Sequence, residues 1–343
     1  MKVAIVKTSS NTKYKAWSVW VEYCEKKGIE YKIVDPYDTD VISEVKDCDV
    51  FMWHHSQTNY RDLLFANQLL FSLQQAGKTV YPDFNSNWHF DDKVGQKYLL
   101  ESINAPLVKS YVFYDKENAL KWAEQTSYPK VFKLRCGAAG SNVKLVHSYQ
   151  ECKGLIQQAF GKGFPPFDAK NYQKEAIRKY KEHKVGFKTL LGTVTKFINP
   201  PKEYAYIKDE KGYAYFQDFM PNNTYDTRVI VINGKYACAE RRMTRKGDFR
   251  ASGSGEFSFD DIDTNIVKIA FDVAQKLRMQ SVAFDFVYDA NLCPKIVEIC
   301  FGFGNKGISQ SQGYWTDDME WHPSDTVPFY EWIIEGVLSN NRF

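Results

Sequence analysis

Short apolar runs alternate with amphipathic stretches over the first quarter of the chain. Runs that predict strands lie at 3–6, 31–34 and 50–53, and helical stretches lie near 14–27 and 60–76. This alternation is typical of a small parallel sheet with helices on both faces. Residues 1–86 are therefore predicted to form an α/β domain. Because no GxGxxG follows the first strand, the domain gives no dinucleotide-binding signal.

The pattern changes after residue 86 to that of an α+β lobe. The segment FDDKVGQKYLLESINAP predicts a helix, with Asn85 and Ser86 as candidate caps. A short strand, a helix over 116–126 and two strands joined by a glycine-rich turn follow. This lobe is predicted to span 87–200, and it includes a Lys/Arg-rich insert near 161–200.

Residues 201–343 are predicted to form a second α+β lobe. Its strand patterns are YAYFQDFM, TRVIVI and YACAERRM, followed by a helix near 259–278 and the hairpin-like pair SVAFDFVYD and CPKIVEIC. An aromatic-rich tail with Trp315, Trp321 and His322 comes last. We interpret it either as packing against the N-terminal domain or as a platform for a sugar.

Composition narrows the classes of partner. The chain carries 45 basic and 42 acidic residues, so its overall field does not favour nucleic acid or an anionic membrane. Its seven cysteines include no CxxC pair, which favours reduced thiols over disulfides or a zinc site. No apolar run is long enough for a signal peptide or a membrane span, so a cytosolic protein is expected. The sequence is compatible with a homodimer.

A glycine-rich turn follows a buried-looking strand in VFKLRCGAAGSNVKL. Lys133 lies at the end of that strand, and Gly137 and Gly140 open the turn. Glycines let main-chain amides approach a phosphate, and a lysine beside them supplies a positive charge. The alternative is an ordinary hairpin turn with a solvent-exposed lysine.

The strand YFQDFM, residues 215–220, stops at Pro221 and two asparagines. The main chain at such a strand end can pair with the edge of an adenine ring. An ordinary strand that ends in a turn is the alternative.

Two acidic residues, Asp285 and Glu298, lie on consecutive predicted strands, flanked by apolar residues in AFDFV and IVEIC. Burying an unpaired charge is costly, so two such carboxylates indicate either ion pairs or a hard cation held by oxygen ligands. Mg²⁺ prefers ligands of this kind.

Basic residues crowd the segment before the last predicted helix of this lobe. They are Arg228, Arg241, Arg242, Arg245, Lys246 and Arg250. Planar guanidinium groups suit polyphosphate and carboxylate anions, although a solvated cluster is the alternative. Strand alternation turns either Arg241 or Arg242 towards the interior.

The order of these motifs resembles that of the ATP-grasp superfamily, over about residues 87–304. The resemblance is most specific to the glutamate ligases that modify a ribosomal protein. DTR (226–228), ERR (240–242) and GDFR (247–250) stand where that branch has its D-x-R, E-R-R and G-D-F-R motifs. It implies an ATP-grasp fold, in which two α+β lobes clamp ATP beside the N-terminal parallel-sheet lobe.

The resemblance also implies roles for individual residues, with Asp92 and Lys93 at the family's D-K helix start. ATP would be bound by Lys93, Lys133, Gly137, Gly140, Ser141, Gln217, Asp218, Phe219 and Met220. The catalytic residues would be Arg228, Arg241, Arg242 and Arg250, and the Mg²⁺ ligands would be Asp285 and Glu298.

Two positions depart from the family pattern. Cys300 stands where the metal-binding E-x-N motif has its asparagine, and a thiol is a poor Mg²⁺ ligand. Either Asn305 or water then replaces that contact, or one metal site is weakened. The segment ASGSG after Arg250 lacks the family's usual asparagine, so the residue that would make a second phosphate contact is not identified.

The activity implied by the resemblance is ligation of a carboxylate to an amine. The substrate carboxylate would attack the γ-phosphate of ATP, and an amine acceptor would capture the acylphosphate. The carboxylate is either a small molecule or glycan-linked, because the tail resembles ATP-grasp proteins encoded with bacterial surface-polysaccharide genes. An ATP-binding regulator or scaffold that has lost ligation is the alternative.

The insert near 161–200 has many lysines and few acids. A solvated helix is one interpretation, and a lid or dock for an acidic acceptor is another, with a uronic-acid glycan or an anionic membrane surface as the partner. Binding of nucleic acid through this insert is a third interpretation, and it would be salt-sensitive.

Overall fold

The computed structural model describes residues 1–8, 15–137, 140, 142–304 and 306–339, without the side chain of residue 203. The helices are α1 (Ala16–Lys27), α2 (Val41–Glu44), α3 (Tyr60–Gln75), α4 (Phe84–Asn87), α5 (Lys93–Ser102), α6 (Lys116–Gln125), α7 (Tyr149–Ala159), α8 (Ala169–Lys181), α9 (Phe187–Thr195), α10 (Thr264–Lys276) and α11 (Phe329–Leu338). Short 3₁₀ turns cover Lys202–Tyr206 and Ile308–Gln310.

The strands are β1 (Lys2–Val6), β2 (Glu30–Val34), β3 (Val50–Met52), β4 (Thr79–Tyr81), β5 (Ser110–Phe113), β6 (Lys130–Lys133), β7 (Val143–Val146), β8 (Ala214–Asp218), β9 (Tyr225–Ile232), β10 (Tyr236–Met243), β11 (Phe257–Ser258), β12 (Ser281–Tyr288), β13 (Pro294–Cys300), β14 (Gly313–Thr316) and β15 (Trp321–Pro323). Within the described residues they form three sheets.

The N-terminal domain is a parallel sheet with the order β2-β1-β3-β4. Successive apolar side chains of its strands point alternately into two hydrophobic clusters. Ala4 and Phe51 pack with Leu70 of α3, whereas Val3 packs with Trp20 of α1. Helices therefore cover both faces, which confirms the predicted α/β domain.

The middle lobe is an antiparallel sheet with the order β5-β8-β6-β7. Helices α6 and α7 bury Ala119 and Ile156 against Phe132 and Phe216 of this sheet. β8 pairs with both β5 and β6, so a strand from beyond residue 200 completes the sheet. The division between these two sheets thus falls between β8 and β9. Pairing with a distant strand leaves no local sequence signal.

The last lobe is a sheet with the order β13-β12-β9-β10-β14-β15, and β11 pairs with β10. Helix α10 covers one face, where its Ala270 packs with Val229 and Phe284. The other face presents Ile230 and Ile232 to α11 and to the N-terminal domain. Strand β9 is therefore apolar on both faces over this part of its length.

Helix α11 joins the last lobe to the N-terminal domain. The Trp20 indole N–H of α1 donates to the Tyr330 carbonyl at 3.0 Å, and Trp332 stacks on Tyr236 with ring centroids 4.2 Å apart. Trp315 and Trp321 face each other across the β14–β15 hairpin. The contact with the N-terminal domain that the tail was expected to make thus comes from α11.

Helix α5 begins later than its apolar pattern suggests. Asp92 is its N-cap, with a carboxylate oxygen that accepts from the Gly95 N–H at 2.9 Å. The candidate caps Asn85 and Ser86 were wrong, because both lie inside the separate helix α4. A cap at Asp92 fixes Lys93 as the first residue of the helix.

The Lys/Arg-rich insert folds as α8 and α9, which pack against each other. Asp168 caps α8 by accepting from the Asn171 N–H at 3.0 Å. None of the helices in the described ranges combines the length and the apolar character that crossing a bilayer requires. All seven cysteines lie within those ranges and are free thiols.

Candidate active site

A cavity of about 440 Å³ lies between the middle lobe and the last lobe. Residues of β6 and β8 line one side, and residues of β9, β10, β12 and β13 line the other. Gln57 and Thr58 of the N-terminal domain also border it. The cavity therefore collects side chains from all three parts of the chain.

Lys93 reaches the cavity from the first turn of α5. Its Nζ donates to the Gly137 carbonyl at 2.7 Å and lies 3.3 Å from a Glu298 carboxylate oxygen. Burial acts to lower the pKa of Lys93, but the carboxylates of Glu298 and Asp91 outweigh it and hold the pKa above its usual value. Lys93 is thus a buried, charged group beside the glycine-rich turn.

Lys133 ends β6 and lines the same cavity. Its Nζ donates to Gln217 Oε1 at 2.6 Å, and the Gln217 amide donates to Ser110 Oγ at 3.1 Å. Burial lowers the pKa of Lys133 to about 8, although the negative charge of Glu298 acts to raise it. An anionic ligand beside Nζ would favour the charged form.

The glycine-rich turn closes one end of the cavity. Gly137 and Gly140 adopt φ values of 123° and 70°, which favour glycine over other residues. The Gly137 N–H donates to Asp91, and the Gly140 carbonyl accepts from Arg250 Nη1 at 2.7 Å. Ser141, which was expected to contact ATP, lies outside the described residues.

The hinge between β8 and β9 borders the cavity through Gln217, Asp218, Phe219 and Met220. Lys130 pairs with Asp218 at 2.6 Å, and Phe219 contacts Phe249 edge to face. Asn223 holds the hinge against the end of β12: its side chain donates to the carbonyls of Met220 and Tyr288 and accepts from the Tyr288 N–H.

Charged residues form a row across the last sheet. Strand register places Glu240 opposite Arg228, Arg228 opposite Asp285, and Asp285 opposite Glu298. Arg228 binds Asp285 through two hydrogen bonds of 2.7 and 3.0 Å. The row therefore alternates in sign over its first three members.

A second arginine binds the same carboxylate from the neighbouring position. Arg242 makes two 2.7 Å hydrogen bonds to Asp226 and a 2.7 Å ion pair with Asp285. Burial acts to raise the pKa of Asp285, but Arg228 and Arg242 overcome it and hold the pKa well below its usual range. Asp285 is therefore ionised and shared between two guanidinium groups.

The structure separates Arg241 from Arg242. Arg242 lines the cavity, whereas Arg241 lies on the opposite face of β10. There its guanidinium stacks 4.7 Å from the Tyr225 ring centroid and donates to the Asp261 carbonyl. The inward-pointing arginine of the pair is thus Arg242.

Arg250 lines the cavity at the glycine-rich turn. Its guanidinium donates to both carboxylate oxygens of Asp248, and Glu175 of α8 lies 3.4 Å from Nη2. The GDFR segment is thereby tied both to the turn of the middle lobe and to the basic insert.

Asp226, Asn223 and Phe249 are among the cavity residues that were not predicted from the sequence as site residues. The sequence could have indicated Asp226 as a cavity residue, because Asp226 lies two residues before Arg228 and therefore shares its strand face. Asn223 and Phe249 act through contacts with distant segments, which no local pattern indicates.

Two carboxylates, those of Asp285 and Glu298, are oxygen donors that the cavity offers to Mg²⁺, and both oxygens of Asp285 also contact arginines. Asp285 and Glu298 are paired in register and both line the cavity. Mg²⁺ commonly takes one or two carboxylates together with phosphate oxygens and waters. The described residues contain no cluster of three or more His, Cys, Asp or Glu side chains suited to a metal.

Cys300 does not add a ligand for a hard cation. Burial raises the pKa of its thiol to about 12, so the sulfur stays protonated. Asn305, the suggested substitute, lies outside the described residues.

Glu240 is the buried end of the charged row. Its Oε2 has no hydrogen-bond partner among the described residues, and the Gly307 backbone packs directly against it. Burial raises the pKa of Glu240 from its ordinary 4.5 to about 7, although Arg228 and Arg242 oppose the rise. The carboxyl group therefore keeps its proton to a higher pH than an exposed glutamate does.

We expect Glu240→Gln to change the pH dependence of stability. Between about pH 4.5 and 7 the folded chain keeps a proton on Glu240 that the unfolded chain has released, so this carboxyl makes folding less favourable as pH rises. The free energy of unfolding of the variant, minus that of the unchanged protein, should rise by about 3 kcal/mol across this window. Denaturant unfolding at several pH values measures the difference, and a flat difference would contradict it.

Comparison with known proteins agrees with this geometry. Residues 205–318 match the RimK-like ATP-grasp domain, and residues 92–187 match the ATP binding domain of the carbamoyl-phosphate synthase L chain. The resemblance to the ATP-grasp superfamily that the motifs predicted is therefore confirmed over these residues.

A curated relative matches part of the chain. The α-aminoadipate–LysW ligase LysX of Saccharolobus solfataricus is 25% identical over 148 residues, which cover 40% of this chain and 52% of the relative. The chain thus spans about half the length of the curated relative that it matches.

Two solved structures show the same fold over nearly the whole chain. The RimK domain protein ATP-grasp from Sphaerobacter thermophilus has a TM-score of 0.59 at 14% identity, and the match covers 98% of this chain and 100% of that one. The D-alanine–D-alanine ligase from Bacillus anthracis, complexed with ATP, has a TM-score of 0.57 at 13% identity, covering 99% and 96%. The expected ATP-grasp fold is confirmed.

Proposed function

We propose that this chain is an ATP- and Mg²⁺-dependent ligase that joins a carboxylate to an amine in the cytosol. The observation that carries the proposal is the single cavity between the lobes, which holds two buried lysines, the hinge, and the Arg228–Asp285–Arg242 cluster. The ligases among its relatives support the same chemistry.

ATP is proposed to lie along the cavity from the hinge to the charged row. The hinge, Gln217 to Met220, would receive the adenine, and the glycine-rich turn would receive the phosphates. Lys93 and Lys133 would bind phosphate oxygens as positive charges. When bound, Mg²⁺ would be held by Asp285 and Glu298 and would neutralise charge on the phosphates.

Arg228 and Arg242 are proposed to hold the substrate carboxylate near the γ-phosphate. An oxygen of that carboxylate attacks phosphorus and ADP leaves, after which the amine attacks the acyl carbon, loses a proton and releases phosphate. Both guanidinium groups would stabilise the charge that develops on oxygen in these steps. Arg250 would contribute to the phosphate end, whereas Arg241 lies on the far face of β10 and is assigned no contact here.

The nucleotide part of the proposal is tested by Lys133→Met. The change removes a buried charge that would otherwise bind a phosphate oxygen, so the Kd for ATP should rise roughly tenfold to a hundredfold. Lys144→Met, on the neighbouring strand β7 and exposed, is the matched control and should change Kd less than about twofold. Isothermal titration calorimetry measures both, and equal effects would argue against a phosphate contact at Lys133.

The ligase part is tested by ADP release with panels of carboxylates and amines. The panel includes amino acids, because LysX is a ligase of α-aminoadipate, and uronic acids, because the tail resembles proteins of surface-polysaccharide clusters. Turnover that needs both a carboxylate and an amine supports the ligase. Tight ATP binding without turnover across the panel would favour the ATP-binding regulator or scaffold.

A further inference from the structure

Helix α9 turns an apolar stripe towards solvent. Phe187, Leu191 and Val194 recur at helical spacing and are 57%, 54% and 54% exposed, and Ile198, in the turn after the helix, is 82% exposed. Helices of globular proteins normally bury such a stripe. Here Thr193, from another side of α9, is the buried residue, so the stripe is additional to the face that packs against α8.

The apolar stripe extends onto α8. Tyr180 is exposed, and its ring lies 6.2 Å from that of Phe187. Ile177, also exposed, comes one turn earlier on α8. Exposed apolar side chains of α8 and α9 therefore meet at the Tyr180–Phe187 contact, unlike the scattered single side chains that are normal on a protein.

The two helices also carry exposed lysines. They are Lys170, Lys174, Lys179, Lys181 and Lys188, and no ion pair involves any of them in the described part of the chain. The acids of α8 and its C-cap are already paired: Glu175 binds Arg178 and Arg245, and Glu182 binds Arg178 and Lys184. The hairpin thus offers positive charge that the protein itself does not neutralise.

We propose that the α8–α9 hairpin is a docking surface for an anionic lipid membrane. An apolar helix stripe with lysines beside it matches the boundary between acyl chains and acidic headgroups, where each part of the surface gains a partner. A soluble polyanion would neutralise the lysines but leave the apolar stripe in water. A second copy in a two-fold arrangement would cover the stripe but bring the two sets of lysines together.

The hairpin is attached directly to the rim of the cavity. Glu175 of α8 binds Arg245 at 2.6 Å, and Lys184 donates to the Ser254 carbonyl at 3.1 Å. Residues 250–252, between these two contacts, line the cavity. A membrane bound at the hairpin would therefore lie near the segment that borders the cavity. The proposal concerns location and stands whether or not the chain is a ligase.

Co-sedimentation of the full chain with lipid vesicles tests this proposal. We expect binding to vesicles of equal parts phosphatidylcholine and phosphatidylglycerol, and much weaker binding to phosphatidylcholine alone. Leu191→Ser with Val194→Ser should weaken binding by at least about tenfold. Lys174→Gln with Lys181→Gln should weaken it roughly fivefold per lysine.

Matched controls come from exposed residues elsewhere. Leu292→Ser, at a side chain that is 79% exposed on the β12–β13 turn, and Lys116→Gln with Lys121→Gln on α6 should leave vesicle binding unchanged. Unfolding midpoints of all variants establish that they are folded. The proposal is overturned if the hairpin variants bind as tightly as the controls, if dextran sulfate binds but vesicles do not, or if the hairpin variants abolish only self-association in sedimentation.

Discussion

Glu298→Gln is expected to lower ADP formation by about a hundredfold or more. The substitution keeps the shape of the side chain but removes the charge that would hold Mg²⁺ against the phosphates and that lies 3.3 Å from Lys93. ATP binding should weaken by a smaller factor, because the lysines, the turn and the hinge remain. A coupled assay of ADP release measures turnover, and calorimetry measures binding.

The control for this variant is Glu101→Gln. Glu101 lies in α5 like Lys93, but it is exposed and pairs with Lys97 one turn away. Its loss should leave ADP formation within about twofold, as expected for a surface ion pair. If Glu298→Gln retained turnover comparable to that of the control, Glu298 would have no role in catalysis and the proposed metal position would be wrong.

Asp285→Asn is expected to destabilise the fold by about 3–5 kcal/mol. Asp285 neutralises two guanidinium groups, those of Arg228 and Arg242, and all three side chains are largely buried. Without the carboxylate Arg228 loses both of its hydrogen bonds to Asp285 and Arg242 keeps only its pair with Asp226, so a buried positive charge is left poorly neutralised, which is costly. Denaturant unfolding measures the loss.

The control for Asp285→Asn is Asp289→Asn, farther along the same pair of strands. Asp289 faces Lys295 at 3.6 Å near the turn, and Asp289→Asn should cost well under about 1 kcal/mol. The double variant Asp285→Asn with Arg228→Gln should lose less than the sum of its two single variants, because both single variants break the same Arg228–Asp285 pair. Equal losses for Asp285→Asn and Asp289→Asn would show that the Arg228–Asp285–Arg242 cluster is not a structural unit.

Much of the architecture could be predicted from the sequence, because its signals are local. The alternation of strands and helices in residues 1–86 follows directly from apolar spacing. The consecutive strands that carry Asp285 and Glu298 were predicted as a hairpin-like pair, and they are neighbours in the sheet. The ATP-grasp fold itself was predicted from the order of short motifs.

Other features depend on contacts between distant segments. The sequence predicted β8 as a strand of the last lobe, because no feature of its own residues indicates that it pairs with β5 and β6. Strand alternation also could not predict which of Arg241 and Arg242 faces the cavity. Strands β9 and β10 bury apolar residues on both faces, so alternation identifies two faces without telling which one meets the cavity.

The charged row could be predicted only in part, for a related reason. Alternation puts Glu240 on the same strand face as Arg242, yet only the register between strands places Glu240 opposite Arg228. Register is fixed by turns and by packing across the whole sheet. The burial that raises the pKa of Glu240 is likewise a product of the assembled fold.

The central claim is that the chain uses ATP to activate a carboxylate, and hydroxylamine trapping tests it most directly. Hydroxylamine captures an acylphosphate whatever the natural amine is, so the chain is incubated with ATP, Mg²⁺, hydroxylamine and pooled carboxylates. The account predicts a hydroxamate formed in equal amount with ADP, in the unchanged protein and not in Glu298→Gln. Saturating ATP binding with neither ADP nor hydroxamate across the pools would contradict it.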